Sequence, residues 1–501
     1  MRRTSHISLA ALLLAAFAPF SAIAQYQGAL PPPEDLKPGF DAITKDLAFH
    51  HLSFLAGPTT QGRGSGQPGF QIAADYVAAQ FKAMGLVPIT EDGSYFQEVP
   101  FYRSGVDPDE TRFTGPGLDL KPGSSLAVTA RGDADFTVSS VVFVTMKADA
   151  TVPDSLNLHG KGVFLSVDGS SRRARTALIR RGASFVVDVV DEVPLIGAVV
   201  SPQPQSSETG QSDRPPTLMI SRRTAMAAAR AVGVDPAVFG AGNIGESGIN
   251  MEDATGQYKL KVKVDSKEVM VPNVIGMLPG SDPELKKQYV GVGAHLDHLG
   301  IRNGVVYPGA DDDGSGSTAM LMIAKAATTN PVKPKRSVVF MAFCGEELGL
   351  IGSGYYTAHP LIPLDQMDCL LQMDMVGRNE EHTNPPESPD DNIDTIHLIG
   401  SKRISTELHQ LTLTSNRYIN FKFEYDEEDV YTRSDHYNFA RRGVPITFLF
   451  SGFHPDYHQP TDTIDKINFD KIVSAARLNY IVMERAADMP SMLVRDVKGG
   501  E

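Results

Sequence analysis

One stretch of the sequence, residues 289–320, constrains the fold more than any other, because a buried strand, a run of acids and a helix follow one another there. The apolar run 289–294 is typical of a parallel strand buried on both faces, and His295 and Asp297 follow it directly. Three acids, Asp311–Asp313, precede the helical sequence. Because ligands bind at the carboxyl edge of the strands in open α/β sheets, these side chains predict a divalent metal site there. A solvated turn that caps the helix is the alternative interpretation of the acids.

Three later apolar runs also end in residues that can bind a metal. These runs, with the residues that follow them, are 337–343 with Glu346 and Glu347, 369–373 with Asp374, and 444–450 with His458. Five of these residues, His295, Asp312, Glu347, Asp374 and His458, supply nitrogen and oxygen ligands. Such a set suits two metals that share a bridging carboxylate better than one tetrahedral zinc with an open position. Adjacent side chains of an extended segment point in opposite directions, so one of Glu346 and Glu347 can bind metal while the other faces a bound water.

The alternation of such strands with helices predicts an α/β fold with a mixed, mostly parallel central sheet flanked by helices. Helical periodicity occurs at residues 40–55, 70–84 and 471–487. Residues 104–262 differ, because short strands alternate there with turns and two small helices. The predicted divisions of the chain are an N-terminal part of the main domain at 25–103, a β-rich insert at 104–262 and the larger part of the main domain at 263–495.

Residues 1–24 have the pattern of a cleavable signal peptide. Arg2 and Arg3 precede the apolar run 9–20, and the small residues up to Ala24 predict cleavage after that position. The apolar run is too short to span a bilayer, and no later stretch approaches the roughly 18 apolar residues of a membrane span. We therefore predict export to the periplasm or the cell exterior, without stable membrane insertion.

The two cysteines are predicted to be buried free thiols. Cys344 lies near the end of one predicted strand, and Cys369 lies five residues before Asp374 on the next; we consider the case in which the two strands are parallel neighbours. With the acids at the strand ends level, the two cysteines are offset by about three residues, or roughly 10 Å, which exceeds the reach of a disulfide.

Six motifs resemble those of the dizinc exopeptidase family, which includes secreted bacterial leucine aminopeptidases, glutamate carboxypeptidase, the glutaminyl cyclases and the transferrin receptor ectodomain. In chain order they are GAHLDHLG, PGADDDGSGSTA, AFCGEELGLIGS, QMDMVG, RSDHYNFA and PDYHQPTDT. The resemblance covers about residues 45–100 and 270–485, and it implies the zinc exopeptidase fold. The insert resembles a protease-associated domain through the runs KGVFLSVDG and RRGASFVVDV.

The resemblance also implies that two Zn²⁺ ions bind per chain. His295 and Asp374 would hold one ion, and Glu347 and His458 the other. Asp312 would bridge the two ions. Other divalent metals such as cobalt or manganese would suit the same ligand types.

Three further residues take catalytic roles under the same resemblance. Glu346 would be the general base that takes a proton from the attacking water. Asp297 would orient the ligand His295. Tyr431 would stabilise the tetrahedral intermediate.

The expected function is that of a secreted metal-dependent exopeptidase acting on peptides, with an aminopeptidase as the first expectation. The formal net charge of −14 disfavours nucleic acid as a partner. An acidic pocket attracts a cationic N-terminus better than a C-terminal carboxylate, which favours cleavage at the amino end. A carboxypeptidase or a dipeptidase on the same site is the main alternative. A glutaminyl cyclase, which uses one zinc, and a non-catalytic binding protein fit the complete ligand set less well. The sequence carries no signature of a particular oligomeric state.

Overall fold

A computed structural model describes residues 25–203, 215–240, 244, 248–381, 392–425 and 430–497 of the chain. The predicted signal peptide, residues 1–24, lies outside the described residues. Within those residues, no helix has both the length and the apolar character that crossing a bilayer requires.

The described part of the chain contains ten α-helices and nineteen strands. The helices are α1 (Lys37–Ala42), α2 (Lys45–Leu55), α3 (Pro68–Ala83), α4 (Arg172–Arg180), α5 (Arg222–Ala231), α6 (Gly314–Thr329), α7 (Ile351–Ala358), α8 (Thr406–Ser415), α9 (His436–Ala440) and α10 (Phe469–Asp488). The first ten strands are β1 (Phe96–Val106), β2 (Arg112–Gly115), β3 (Leu118–Leu120), β4 (Leu126–Thr129), β5 (Ala134–Lys147), β6 (Lys161–Asp168), β7 (Phe185–Val190), β8 (Val199–Ser201), β9 (Thr217–Ser221) and β10 (Ile249–Val262). The later strands are β11 (Val264–Leu278), β12 (Tyr289–His295), β13 (Gly300–Arg302), β14 (Val305–Tyr307), β15 (Ser337–Phe343), β16 (Met367–Met373), β17 (Thr395–Ile399), β18 (Lys422–Glu424) and β19 (Ile446–Phe450).

A nine-stranded sheet with a parallel centre forms the framework of the fold. Its strand order is β18-β17-β19-β16-β12-β15-β11-β1-β8. β12 pairs in parallel with β15 and β16, and β16 pairs in parallel with β19. Antiparallel pairing begins on either side, at β11–β15 and β17–β19. The predicted α/β fold with a mixed sheet is therefore confirmed, and the carboxyl ends of the four central strands meet at one edge.

The central strands are buried on both faces, which explains their largely apolar sequences. Alternate residues of β15 enter two different hydrophobic cores. Val338, Phe340 and Ala342 pack in the core that α6 and α10 cover, whereas Val339, Met341 and Phe343 pack in the core with residues of α7 and α9. Because successive side chains of a strand point to opposite faces, both sets of positions must be apolar.

Residues 112–262 contain a second sheet of eight strands, in the order β3-β2-β10-β5-β6-β7-β9-β4, with hydrophobic cores of its own. One short strand of this part of the chain, β8, pairs instead with β1 at the edge of the central sheet. The resemblance of this unit to a protease-associated domain stays a prediction.

The helix predicted at residues 40–55 is two helices, α1 and α2. Ile43 after α1 has an extended conformation, and Thr44 accepts a hydrogen bond from the backbone N–H of Leu47 at 3.2 Å. Since the Thr44 side chain caps α2, a new helix begins there although the amphipathic pattern runs on.

Cys344 and Cys369 are free and buried, as the sequence predicts. Their strands are not direct neighbours, because β12 lies between β15 and β16. The prediction is correct, but the geometry behind it differs: two strand spacings of about 4.8 Å separate the thiols, which again exceeds the reach of a disulfide.

Glu484 of α10 gives the chain a testable pH dependence. Its side chain is buried, and burial raises its pKa from 4.5 to about 8, with the charge of Asp488 adding to the rise. The folded chain therefore binds this proton more tightly than the unfolded chain, so the free energy of unfolding falls as pH rises from about 4.5 to about 8, by at most about 5 kcal/mol. We expect Glu484→Gln to raise the thermal unfolding midpoint at pH 8 and to change it little at pH 5. The exposed Glu284→Gln variant is the control, and an equal effect of Glu484→Gln at both pH values would contradict the prediction.

Candidate metal centre

All five predicted metal ligands lie at the carboxyl edge of the parallel strands. His295 ends β12, Asp312 lies just before α6, Glu347 lies in a 3₁₀ turn after β15, Asp374 follows β16, and His458 lies in the loop after β19. The polar side chains begin where each strand leaves the apolar interior, so the sheet itself brings together residues that are far apart in sequence.

Asp312 lies between two groups of these residues. Its Oδ1 is 3.3 Å from Nε2 of His295, which is 3.4 Å from Oδ1 of Asp374. Its Oδ2 is 3.1 Å from Nε2 of His458, which is also 3.1 Å from Oε2 of Glu347. We call His295, Asp374 and Asp312 the first metal position, and Glu347, His458 and Asp312 the second. The pairing of residues is the one that the family resemblance implies.

The three acids before α6 have three different environments, and all are buried. Asp313 caps α6 through the backbone N–H of Gly316 at 2.9 Å, and it also accepts a hydrogen bond from Met375 N at 3.0 Å. Asp311 accepts from Gly377 N at 2.7 Å. The helix cap that was the alternative interpretation therefore exists at Asp313, but the three acids are buried and not solvated. Asp311 and Asp313 bind backbone N–H groups and so fix the chain on either side of Asp312.

Glu346 faces the first metal position, with its Oε2 4.0 Å from Nε2 of His295. Burial raises the pKa of Glu346 well above its ordinary value. The charges of Asp374 and Asp435 add to this rise, and His295 opposes it. Asp297 Oδ1 accepts a hydrogen bond from the backbone N–H of Glu346 at 3.1 Å, which fixes the turn that carries the base.

The orientation of His295 depends on the main chain more than on the Asp297 carboxylate. The Nδ1 atom of His295 is 3.0 Å from the backbone oxygen of Asp297, whereas the carboxylate Oδ1 is 3.8 Å away. An Nδ1–H donated to a backbone oxygen leaves Nε2 free for a metal, as the predicted ligand role requires.

The structure does not bring Tyr431 together with the other predicted site residues. The guanidinium of Arg403 lies 3.9 Å from the centre of the Tyr431 ring, and this ring packs in hydrophobic clusters behind the pocket. Tyr457 lines the pocket instead, with its ring stacked on His458 at 3.9 Å and its hydroxyl accepting a hydrogen bond from Arg433 at 3.1 Å. Tyr457 directly precedes the expected ligand His458 in the sequence, and this position could have indicated that it lies at the site.

A pocket beside the first metal position has an apolar wall. Its polar lining includes Glu346 and four of the predicted ligands, and its apolar lining residues are Met375, Val430, Phe448, Phe450, Phe453 and Tyr457. A side chain held there would contact aromatic rings while its backbone lies at the metal ligands.

A larger groove opens on the other side of the centre, at Glu347. It has a volume of about 710 Å³, and its walls include residues 64–68, 196–200 and 299–303. The segment 196–200 includes the first two residues of β8, the short strand that pairs with β1 at the edge of the central sheet. This edge of the sheet therefore forms one wall of the groove.

Three buried residues of the centre were missed by the sequence analysis. The carboxylate of Asp462 accepts hydrogen bonds from the backbone N–H groups of Asp311 and Asp312 at 3.1 Å. Arg63 donates to the backbone oxygens of Leu296 and Gly309, which precede the acidic run, and His298 contacts Glu347. Asp462 and His298 belong to motifs already recognised, PDYHQPTDT and GAHLDHLG, whereas Arg63 lies in a loop with no pattern of its own.

Comparison with known proteins matches residues 273–483 to the model of Peptidase family M28. A probable leucine aminopeptidase from Trichophyton verrucosum is 28% identical over 227 residues, which are 44% of this chain and 58% of that protein. A probable leucine aminopeptidase 2 from Aspergillus oryzae is 26% identical over 281 residues, 50% of this chain and 53% of that protein. The matches thus span little more than half the length of these curated relatives.

Two solved structures share the fold over nearly the whole chain. The aminopeptidase from Aneurinibacillus sp. strain AM-1 has a TM-score of 0.51 at 20% identity, with 92% of this chain and 98% of that chain covered. BSAP, a zinc aminopeptidase from Bacillus subtilis, has a TM-score of 0.53 at 19% identity, with 91% and 98% covered. The fold, the order of the motifs and the family match agree with the resemblance drawn from the sequence. Residues 273–483, which are 211 of the 501 residues of the chain, therefore match Peptidase family M28.

Proposed function

We propose that this protein is an exported, zinc-dependent aminopeptidase that removes apolar residues from the N-termini of peptides. The observation that carries the proposal is the pair of metal positions bridged by Asp312, with Glu346 and an apolar pocket beside the first of them. The names of the curated relatives and of the two solved structures support the same activity.

The residues of both positions fit zinc. A tetrahedral zinc ion with bonds of 2.0–2.1 Å holds its ligands about 3.3 Å apart. The separations of 3.1–3.4 Å between the imidazole and carboxylate atoms agree with that spacing. When bound, such ions lower the pKa of a water molecule and polarise the carbonyl group of the substrate.

Glu346 and Tyr457 supply the proton-transfer and hydrogen-bonding groups. The Glu346 carboxylate takes a proton from the attacking water and passes it to the leaving amine, a role that suits an acid whose pKa is raised by burial. The phenol of Tyr457 lines the same pocket and is held by Arg433, so it can donate a hydrogen bond to the oxygen that becomes negative in the tetrahedral intermediate.

The pocket and the groove bind different parts of the peptide substrate. The N-terminal side chain enters the apolar pocket beside the first metal position, and the rest of the peptide leaves through the groove at Glu347. Carboxylates that surround the pocket, including Asp374 and Glu346, favour the positive charge of a free N-terminus.

A carboxypeptidase or dipeptidase activity is the second candidate, because Arg433 also lines the pocket and a guanidinium can bind a free carboxylate. Two complete metal positions favour hydrolysis over the one-zinc chemistry of a glutaminyl cyclase. The same positions argue against a non-catalytic binding protein, which would not need Glu346 beside them.

Peptide trimming tests the proposal directly. We expect the protein to shorten unblocked peptides from the N-terminus, to ignore C-terminal amidation, to leave N-acetylated peptides intact, and to stop when a chelator removes the metal. First residues such as Leu or Phe should be released at least about tenfold faster than Ala, because one wall of the pocket is apolar and aromatic. Mass spectrometry of a defined peptide mixture gives the shortened end, and loss of C-terminal residues would make the second candidate the function.

A further inference from the structure

His298 lies beside the second metal position, although it is not one of the five expected ligands. It follows His295 by three residues in GAHLDHLG and is 2% exposed. Its Nδ1 atom is 2.7 Å from Oε1 of Glu347 and 3.7 Å from Oδ2 of Asp312. The centres of the His298 and His458 rings are 5.7 Å apart.

The contact between His298 and Glu347 is not an aligned hydrogen bond. Both Nδ1 of His298 and Oε1 of Glu347 are buried and have no hydrogen-bond partner in the described part of the chain, although they lie 2.7 Å apart. Buried polar atoms in folded proteins are almost always satisfied, so two that converge without a hydrogen bond point to a cation that both can bind. Nδ1 of His298 and oxygens of Asp312 and Glu347 all lie within 4.8 Å of one another.

We propose that His298 is a sixth protein ligand of the centre, binding the ion of the second metal position through Nδ1. The proposal rests on the metal centre of the proposed function but not on the reaction. The second position then has two imidazoles and two carboxylates, whereas the first has one imidazole and two carboxylates. The first position keeps more open coordination for water and substrate, and it is the one that Glu346 faces.

The backbone around His298 holds the ring in this orientation. Gly309 has a φ of +60°, and a Cβ atom built on it would lie 2.5 Å from both Cγ and Cδ2 of His298. Any larger residue at position 309 would therefore clash with the His298 ring and with the backbone oxygen of Asp312. A close approach of this kind is a reason for glycine at that position.

Cobalt binding by the full chain, freed of metal by chelation, tests the proposal without any use of activity. We expect two ions to bind the parent, and His298→Ala to raise the Kd of one of them at least about 100-fold, since losing even an outer-shell partner of a ligand costs 10- to 100-fold. Added imidazole should restore that binding, because it can occupy the space left by the side chain. His51→Ala removes a buried histidine that is bonded to Tyr76 and belongs to neither metal position, so it should keep both Kd values.

His298→Asn separates a metal ligand from a hydrogen-bond donor. Its amide N–H₂ can donate near the position of Nδ1 but is a poor ligand, so we expect it to lose the ion as His298→Ala does. Parent-like cobalt affinity in His298→Asn, or in His298→Ala, would overturn the proposal. If the parent binds two ions but cleaves no peptide, the proposed function fails and the role of His298 is still decided by these affinities. If the parent binds fewer than two ions, the inference itself fails.

Discussion

A Glu346→Gln variant is expected to fold and to bind its metals as the parent does, yet to lose about 10³-fold in kcat/KM, or about 4 kcal/mol of transition-state stabilisation. Gln has the shape of Glu but cannot take up a proton. The side chain faces the first metal position at 4.0 Å from His295 without being one of the expected ligands, so the metal content should be preserved. Hydrolysis of Leu-p-nitroanilide gives kcat/KM, and elemental analysis of the same samples gives the metal content.

The adjacent Glu347→Gln variant is the matched control for this test. Glu347 belongs to the second metal position, so its neutralisation should release an ion as well as lower the activity. If Glu346→Gln keeps activity within a few-fold of the parent, another group must act as the base. If it loses metal as Glu347→Gln does, the two acids have exchanged the roles assigned to them.

The parts of the fold and site that the sequence predicted well are those where apolar strands end in metal-binding residues. A strand buried on both faces can have an unbroken apolar sequence, and its end is then visible as the first polar residue, as at His295. The carboxyl ends of parallel strands lie at the same edge of a sheet, so the sequence also predicts that these residues come together. His295 and Asp374 lie at such strand ends, whereas Asp312, Glu347 and His458 lie in the segments beyond them. The grouping of the five residues around Asp312 is the one that the resemblance implies, and their binding of metal stays a prediction.

The remaining contacts of the site depend on how loops fold, which periodicity does not record. Tyr431 and Tyr457 both lie close in sequence to residues of the site, but only the loop geometry places Tyr457 on the pocket and Tyr431 behind it. The pairing of β8 with β1 is similar, because a three-residue strand carries almost no pattern.

The run Asp311–Asp313 shows how two competing interpretations of one motif can both hold in part. A helix cap and a metal ligand were alternatives when the run was considered as a unit. In the structure Asp313 caps α6, whereas Asp312 lies between the two proposed metal positions, because the two side chains diverge. Because all three acids are buried, their carboxylates place negative charge inside the centre, and bound divalent ions would neutralise this charge.

Replacing Arg63 by Met should give the largest loss of stability among single changes near the centre. Arg63 is fully buried, and its guanidinium donates to the backbone oxygens of Leu296, Leu55, Pro308 and Gly309 at 2.7–2.9 Å. Met fills similar space but leaves these oxygens without donors, at a cost of about 1–3 kcal/mol for each that finds no water. We expect a total loss of about 4 kcal/mol, which lowers the unfolding midpoint of a domain of this size by roughly 10 °C.

The effect should reach the metals as well, because the carbonyl groups that Arg63 holds belong to the segments carrying His295 and Asp312. Thermal unfolding followed by circular dichroism, with and without added zinc, measures both parts of the effect. Arg485→Met is the control: its partner Asp35 is exposed, so losing that ion pair should cost no more than about 1 kcal/mol. Arg63→Lys, with three donors in place of five, should fall between Arg63→Met and the parent. A midpoint for Arg63→Met within 2 °C of the control would show that water replaces the guanidinium, and that the metal-binding loops hold their positions without it.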